Sequence, residues 1–178
     1  VIERYRAASL DRLAVIRTAL TLLGLLATLV IIFFLHQLVP ILFVLGVPVL
    51  LLPAVAYAST PLGYMLNERE LMIDRKALRP VRIPLRTITA VHPLPAATMA
   101  HAIRVYGTGG LFGWTGRYQV RGLGAVSMHA TSLDRLIVIE RRRRRPILIS
   151  PAETTAFLSG LRRQYGIIEV TPQRARIR

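Results

Sequence analysis

Two stretches of this chain carry residue types that do chemistry elsewhere. Residues 107–116 read Gly-Thr-Gly-Gly-Leu-Phe-Gly-Trp-Thr-Gly, and residues 141–145 are five arginines in a row. A glycine run can cradle phosphate, but this one has the wrong spacing. After Gly107 and Gly109 the third position of a dinucleotide fingerprint is Phe112, and Gly116 is followed by Arg117 and Tyr118 rather than Lys and Ser/Thr. What remains is Leu111, Phe112 and Trp114 on a flexible loop, side chains suited to a bilayer interface or to gripping a partner. The structural alternative is favoured: glycines for a tight bend between strands, aromatics capping the core. Arg141, Arg142, Arg143, Arg144 and Arg145 form the strongest electrostatic signal. Near an anionic leaflet each would contribute about 1 kcal/mol, falling off within a Debye length. They would contact anionic lipid headgroups or an acidic protein partner, or else form a solvated hairpin tip whose like charges discourage edge pairing.

Other chemistry has little to work with. His36, His92, His101 and His129 show no HExxH spacing, and no GxSxG elbow is present. Cysteine is absent, which removes thiol chemistry, disulfides and zinc-finger sites. No catalytic residue, metal ligand or cofactor is expected. From residue 60 onward 20 Lys/Arg face 7 Asp/Glu, a balance of +13 that would attract phosphates. No helix-turn-helix, zinc finger or RNP-like strand accompanies it, so nucleic acid ranks last among the partners.

The elements that position these residues fall into two parts. Thr18 to Asn67 contains no charged side chain. Its apolar heart, Thr18 to Tyr57, would span about 60 Å as one helix, twice the hydrocarbon thickness of a bilayer. The chain must therefore turn back, and His36-Gln37 followed by Pro40 supplies the turn. The expectation is a transmembrane hairpin over residues 14–58, with helices at Ala14–Leu35 and Val39–Ala58. Gly24 and Thr28 could meet a small-residue face on the second helix, where Gly46 and Ala54 lie. The first apolar run is longer than a signal-peptide core and is read as a retained helix. Residues 1–13 are a basic lead with an amphipathic cast, consistent with an interfacial start to the first helix. Arginines flank the hairpin on both sides while its turn has none, so the positive-inside rule puts both ends in the cytoplasm.

Residues 61–166 read as a strand-rich domain. Strands are expected at 64–66, 70–73, 81–83, 89–92, 102–106, 125–131, 136–140 and 146–149, alternating apolar and polar. Pro84 to Ile88 could hold one helical turn. Residues 93–100 read as a loop or bulged edge because of Pro93 and Pro95. Arg141 to Arg145 bridges two strands. Ser150-Pro-Ala-Glu153 has the form of a capping box with proline at the first helical position, opening a helix through Phe157, Leu158 and Leu161 to about 164–166. Residues 167–178 form a basic tail.

Several antiparallel strands closed by one C-terminal helix describe a partly open barrel. The order of Tyr64, Ile83-Pro84, Ile88, the run Gly107 to Gly116, His129-Ala-Thr131, Ile149-Ser-Pro151 and Phe157 resembles bacterial pleckstrin-homology-like domains. In one group of these a pair of transmembrane helices precedes the domain. The resemblance implies a PH-like sandwich with a capping helix, facing a bacterial cytoplasm. It carries over no ligand or catalytic residues. The expected fold class is a membrane α-helical hairpin plus a mainly-β PH-like domain. The expected work is binding: a two-pass inner-membrane scaffold whose basic domain touches anionic lipid or an acidic protein. The alternative is a docking subunit of a larger membrane complex, with an enzyme or transporter component third.

Overall fold

The computed structural model describes residues 2–35 and 51–165. The expected turn at His36-Gln37, the start of the second helix, its partner face at Gly46 and the basic tail lie outside them.

Period-two patterning builds the first sheet. β2 (Pro61–Leu66), β3 (Glu70–Arg75) and β4 (Val81–Pro84) form an antiparallel meander. Tyr64, Leu66, Leu71, Ile73 and Ile83 point inward from alternate positions and are fully buried. The β2–β3 turn is set by Asn67, whose side-chain oxygen accepts from the Arg69 and Glu70 amides at 2.9 and 2.7 Å. The sheet has a fourth strand where a helix-leading flank was expected. β1 (Glu3–Arg6) pairs antiparallel with β2, placing Tyr5 opposite Tyr64. The residues read as an amphipathic lead to a helix are thus an edge strand, with Tyr5 packed edge-on against Phe157 at 5.2 Å. Ala7 continues the pairing, its amide donating to Leu62 O at 3.2 Å. The helices therefore emerge between two adjacent strands of one sheet.

α1 (Arg12–Leu35) is 24 residues long, and no part of its most apolar window is buried. A helix apolar all round with no protein covering its apolar window is a candidate membrane span. It is the one helix among the described residues long and apolar enough to cross a membrane. Residues 51–59 (α2) are helical and return the chain to β2.

The second sheet has six strands: β5 (Ile88–Leu94), β6 (Ile103–Gly109), β7 (Trp114–Val120), β8 (Gly124–Ala130), β9 (Leu136–Arg141) and β10 (Arg144–Ile149). Their order is β5-β9-β10-β8-β7-β6, antiparallel throughout except for the β8–β10 pair. β9 is buried on both faces. Ile137 and Ile139 join a core shared with the first sheet and with Phe157 and Leu161 of α3 (Thr154–Tyr165), while Leu136 and Val138 join a second core with Trp114, Tyr118 and Met128. The domain is therefore two sheets closed by a helix rather than one barrel. Three expectations change with it. β5 runs through Pro93 to Leu94 before a 3-10 turn at Ala96–Met99. Much of the glycine run is strand, in β6 and β7, with only 110–113 between them. The capping box does not form: the Ser150 hydroxyl accepts from the Thr131 and Ser132 amides at 2.8 and 3.3 Å, and α3 starts at Thr154 with the Glu153 carbonyl accepting from the Phe157 amide. Ser150 is wholly buried, and a buried pair of amides claims its oxygen ahead of the helix.

Tyr64 ties the layers together. Its hydroxyl donates to His129 O on β8 at 2.9 Å and accepts from the Ser150 amide at 3.1 Å. Burial pushes its pKa up to about 12, so it stays a donor at any physiological pH. Tyr64→Phe leaves both partners buried and unpaired. The expected loss is about 2 kcal/mol of stability, read from the urea midpoint.

Candidate site at the helix–sandwich junction

The site begins at one carboxylate. Asp11 caps α1, its Oδ1 accepting from the Ala14 amide at 2.7 Å. Its Oδ2 accepts from Trp114 Nε1 at 3.1 Å and from the Leu133 amide at 3.0 Å. The helix is thus started and pinned to the sandwich by the same side chain. An Asp just ahead of a long apolar helix is an N-cap signal, and the sequence carries one at Asp11.

The rest of the glycine loop closes on the same helix. Arg17 Nη1 donates to Gly109 O at 2.7 Å, with its guanidinium 5.2 Å from the Trp114 ring centre. Thr18 Oγ1 donates to Gly110 O at 3.2 Å and accepts from the Phe112 amide at 2.9 Å. On the other side Thr60 Oγ1 donates to Phe112 O at 3.2 Å, and the Phe112 ring stacks edge-on with Tyr57 at 5.3 Å. Phe112 adopts φ 56°, a left-handed conformation uncommon for an aromatic, held by these contacts. Trp114 is buried and Leu111 and Phe112 are half-buried. These three residues are a socket for the ends of α1 and α2, and they extend the packing role read from the sequence to the helices themselves.

Between the helices and the sheet lies a cavity of about 840 Å³. Leu20, Leu51, Leu52 and Val55 line it from the helices, and Arg75, Arg104, Thr115, Ser127 and His129 line it from the strands. Two opposed glycines shape one wall. Gly107 and Gly116 face each other across β6 and β7 at φ 109° and 121°, and a Cβ on either would come within 2.2 Å of a carbonyl oxygen of the other strand. Among the described residues no carboxylate lines the cavity. Among the described residues no cluster of His, Asp or Glu could hold a metal ion.

The five arginines are elsewhere. Arg141 ends β9, Arg144 and Arg145 start β10, and Arg143 at φ 53° makes the turn between them. Arg141 Nε donates to Arg145 O at 2.9 Å, and the Arg142 amide donates to Thr87 O at 2.7 Å. Strand register locates the tip. Ile149 pairs with His129, which pairs with Thr115 beside the glycine loop, while Arg144 lies five residues back along β10. At about 3.3 Å per residue the tip is roughly 20 Å from the loop that grips α1. That is more than two Debye lengths at physiological salt, about 8 Å each. The structure brings Leu111, Phe112 and Trp114 to the helices and sets the backbone of Arg141–Arg145 at the opposite end of the strands, with the Arg141 charge alone of the five still felt at His129. A different set of cations surrounds the helix ends: Arg17, Arg75, Lys76 (4.0 Å from the Tyr57 ring centre) and Arg104.

A two-sheet sandwich closed by a C-terminal helix and joined to an apolar helix defines a PH-like domain with a candidate membrane segment. The profile of the family described as Bacterial PH domain matches residues 62–165, and the chain belongs to that family. No curated protein and no solved structure gives a significant match.

Two outcomes follow from the junction. Asp11→Ala removes the cap and orphans two donors, an expected loss of about 3 kcal/mol in a denaturation followed by the fluorescence of Trp114, the single tryptophan; Asp11→Asn recovers part of it. Burial, reinforced by the Arg75 and Arg141 charges, lowers the His129 pKa from 6.5 to about 4. Folded His129 is neutral across that interval while the unfolded imidazole takes up a proton. Stability is thus fully present above pH 6.5 and falls toward pH 4, by up to about 3 kcal/mol. His129→Gln should flatten that slope in urea midpoints taken from pH 4 to 7.

Proposed function

We propose that this protein is a membrane-anchored PH-like binding module, held by a two-helix hairpin over residues 14–58 with both flanks cytoplasmic, whose domain rests on anionic lipid headgroups. The observation that carries the reading is the polarity of the sandwich. The apolar helices leave from the same end that carries Arg17, Arg75, Lys76 and Arg104. Juxtamembrane cations attract an anionic leaflet and mark the cytoplasmic side. A second reading has a specific observation in its favour. By strand register Arg142, Arg143, Arg144 and Arg145 lie at the far end of the strands from the helices, and that position suits an acidic protein partner of a docking subunit better than the bilayer. Neither reading uses a catalytic group, and domains of this family are in general binding modules.

Topology has a clean assay because the chain has no cysteine. An Arg143→Cys variant in intact bacteria should resist a membrane-impermeant maleimide and react after permeabilisation; labelling in intact cells refutes the proposed orientation. Headgroup contact is read by hydrogen exchange of the full chain in nanodiscs. Amides over residues 75–79 should exchange more slowly in anionic than in zwitterionic discs, and 0.5 M salt should erase the difference. Equal exchange in both lipids removes the headgroup reading.

A further inference from the structure

The cavity at the junction has a composition that neither a core nor a solvent cleft requires. One wall is hydrocarbon, and its Leu20, Leu52 and Val55 are 64, 72 and 60% exposed. They belong to the helical segments assigned to the bilayer, so that wall faces acyl chains rather than water. The opposite wall carries Arg75 and Arg104, with no carboxylate among the described residues to neutralise them. Arg75 spends two of its donors on Arg79 O, and Arg104 makes one long bond, 3.4 Å to Gly107 O, so both retain N–H groups for an anion. The sheet-side wall includes His129, whose Nδ1 is buried with no hydrogen-bond partner. Buried polar atoms are nearly always paired, and one left open beside a cationic cavity points to a missing ligand. The volume, about 840 Å³, falls within the range of small-molecule sites.

We propose that this cavity holds one membrane phospholipid with an anionic headgroup, its phosphate against Arg75 and Arg104 beside His129 and its chains along Leu20, Leu52 and Val55. This rests on the membrane-anchored reading and goes beyond it. Diffuse attraction of a basic rim to a leaflet involves many lipids and dissolves in salt. A formed cleft takes a single molecule, selects for charge and resists salt better than a diffuse rim, because a headgroup held between the helices and the sheet is partly withdrawn from the screening solvent. A lipid inserted between helices and sheet would also join the anchor to the domain at a second place, on the side of the glycine loop away from Asp11.

The test uses the full chain, reconstituted in nanodiscs of mixed phosphatidylglycerol and phosphatidylcholine, washed in 0.5 M salt and released for native mass spectrometry. One phosphatidylglycerol per chain should remain, enriched at least tenfold over its share of the disc. Arg75→Gln with Arg104→Gln should cut that retention about tenfold, and Arg104→Gln alone, at an exposed position, should cut it measurably while leaving the melting temperature unchanged. Arg142→Gln with Arg143→Gln, at the distal tip, should change nothing. Equal retention of phosphatidylcholine, no retained lipid, or retention indifferent to Arg104 overturns the proposal. Glycerol phosphate added in solution should displace the lipid weakly; displacement at stoichiometric concentration would make the ligand a soluble phosphate and overturn the lipid assignment. Loss of the retained lipid with slowed exchange at residues 75–79 intact defeats this inference alone, whereas loss of both defeats the anchored reading beneath it.

Discussion

One carboxylate holds the two halves of this protein in register. Asp11 satisfies an amide that the first turn of α1 leaves open, and with its other oxygen it satisfies Leu133 and Trp114 of the sandwich. A flexible tether would have served to keep the domain near a membrane. Instead the base of an apolar helix is fixed by a half-buried carboxylate, a stacked guanidinium and two hydrogen bonds of Thr18, which set its angle to the sheet. The cavity between them exists because that angle is held.

The sandwich is electrically divided along its strands. At one end Arg17, Arg75, Lys76 and Arg104 surround the helices; at the other stands the tip of five arginines, its backbone tied to a 3-10 turn at Leu85–Thr87 by the Arg142–Thr87 hydrogen bond. Total charge, +15 over the chain, says only that polyanions are attracted. Strand register decides which polyanion each group can reach. A run of arginines conspicuous in sequence turns out to be the set farther from the helix base, while the scattered ones gather there.

Much of the sandwich was legible because its strands obey a period of two. Tyr64, Leu66, Leu71 and Ile73 alternate cleanly, and Leu136 to Ile139 form a continuous apolar run because both faces of β9 are covered. What escaped depends on contacts distant in sequence. Glu-Arg-Tyr-Arg at residues 3–6 has too little apolar content to announce a strand; it becomes one by pairing with residues 63–66. Ser150 satisfies every local rule for a helix cap, yet amides about 19 residues earlier take its oxygen. Of the site, the glycine-aromatic run was visible as packing residues and α1 as a helix, but the grip of one on the other was not. The cavity, built from β3, β6, β7, β8 and two helical segments, has no local signature at all.

The helices leave between β1 and β2, two strands that lie side by side. During synthesis β1 appears first, and its partner follows only after residues 7–60 have emerged. Closing so long an excursion is entropically costly unless something else brings the ends together. The two-pass anchor proposed above would do so, returning the ribosome-bound chain to the face it left. The first strand would then act as a late clasp, and a sandwich completed with β1 in place would report that the anchor had already been seated.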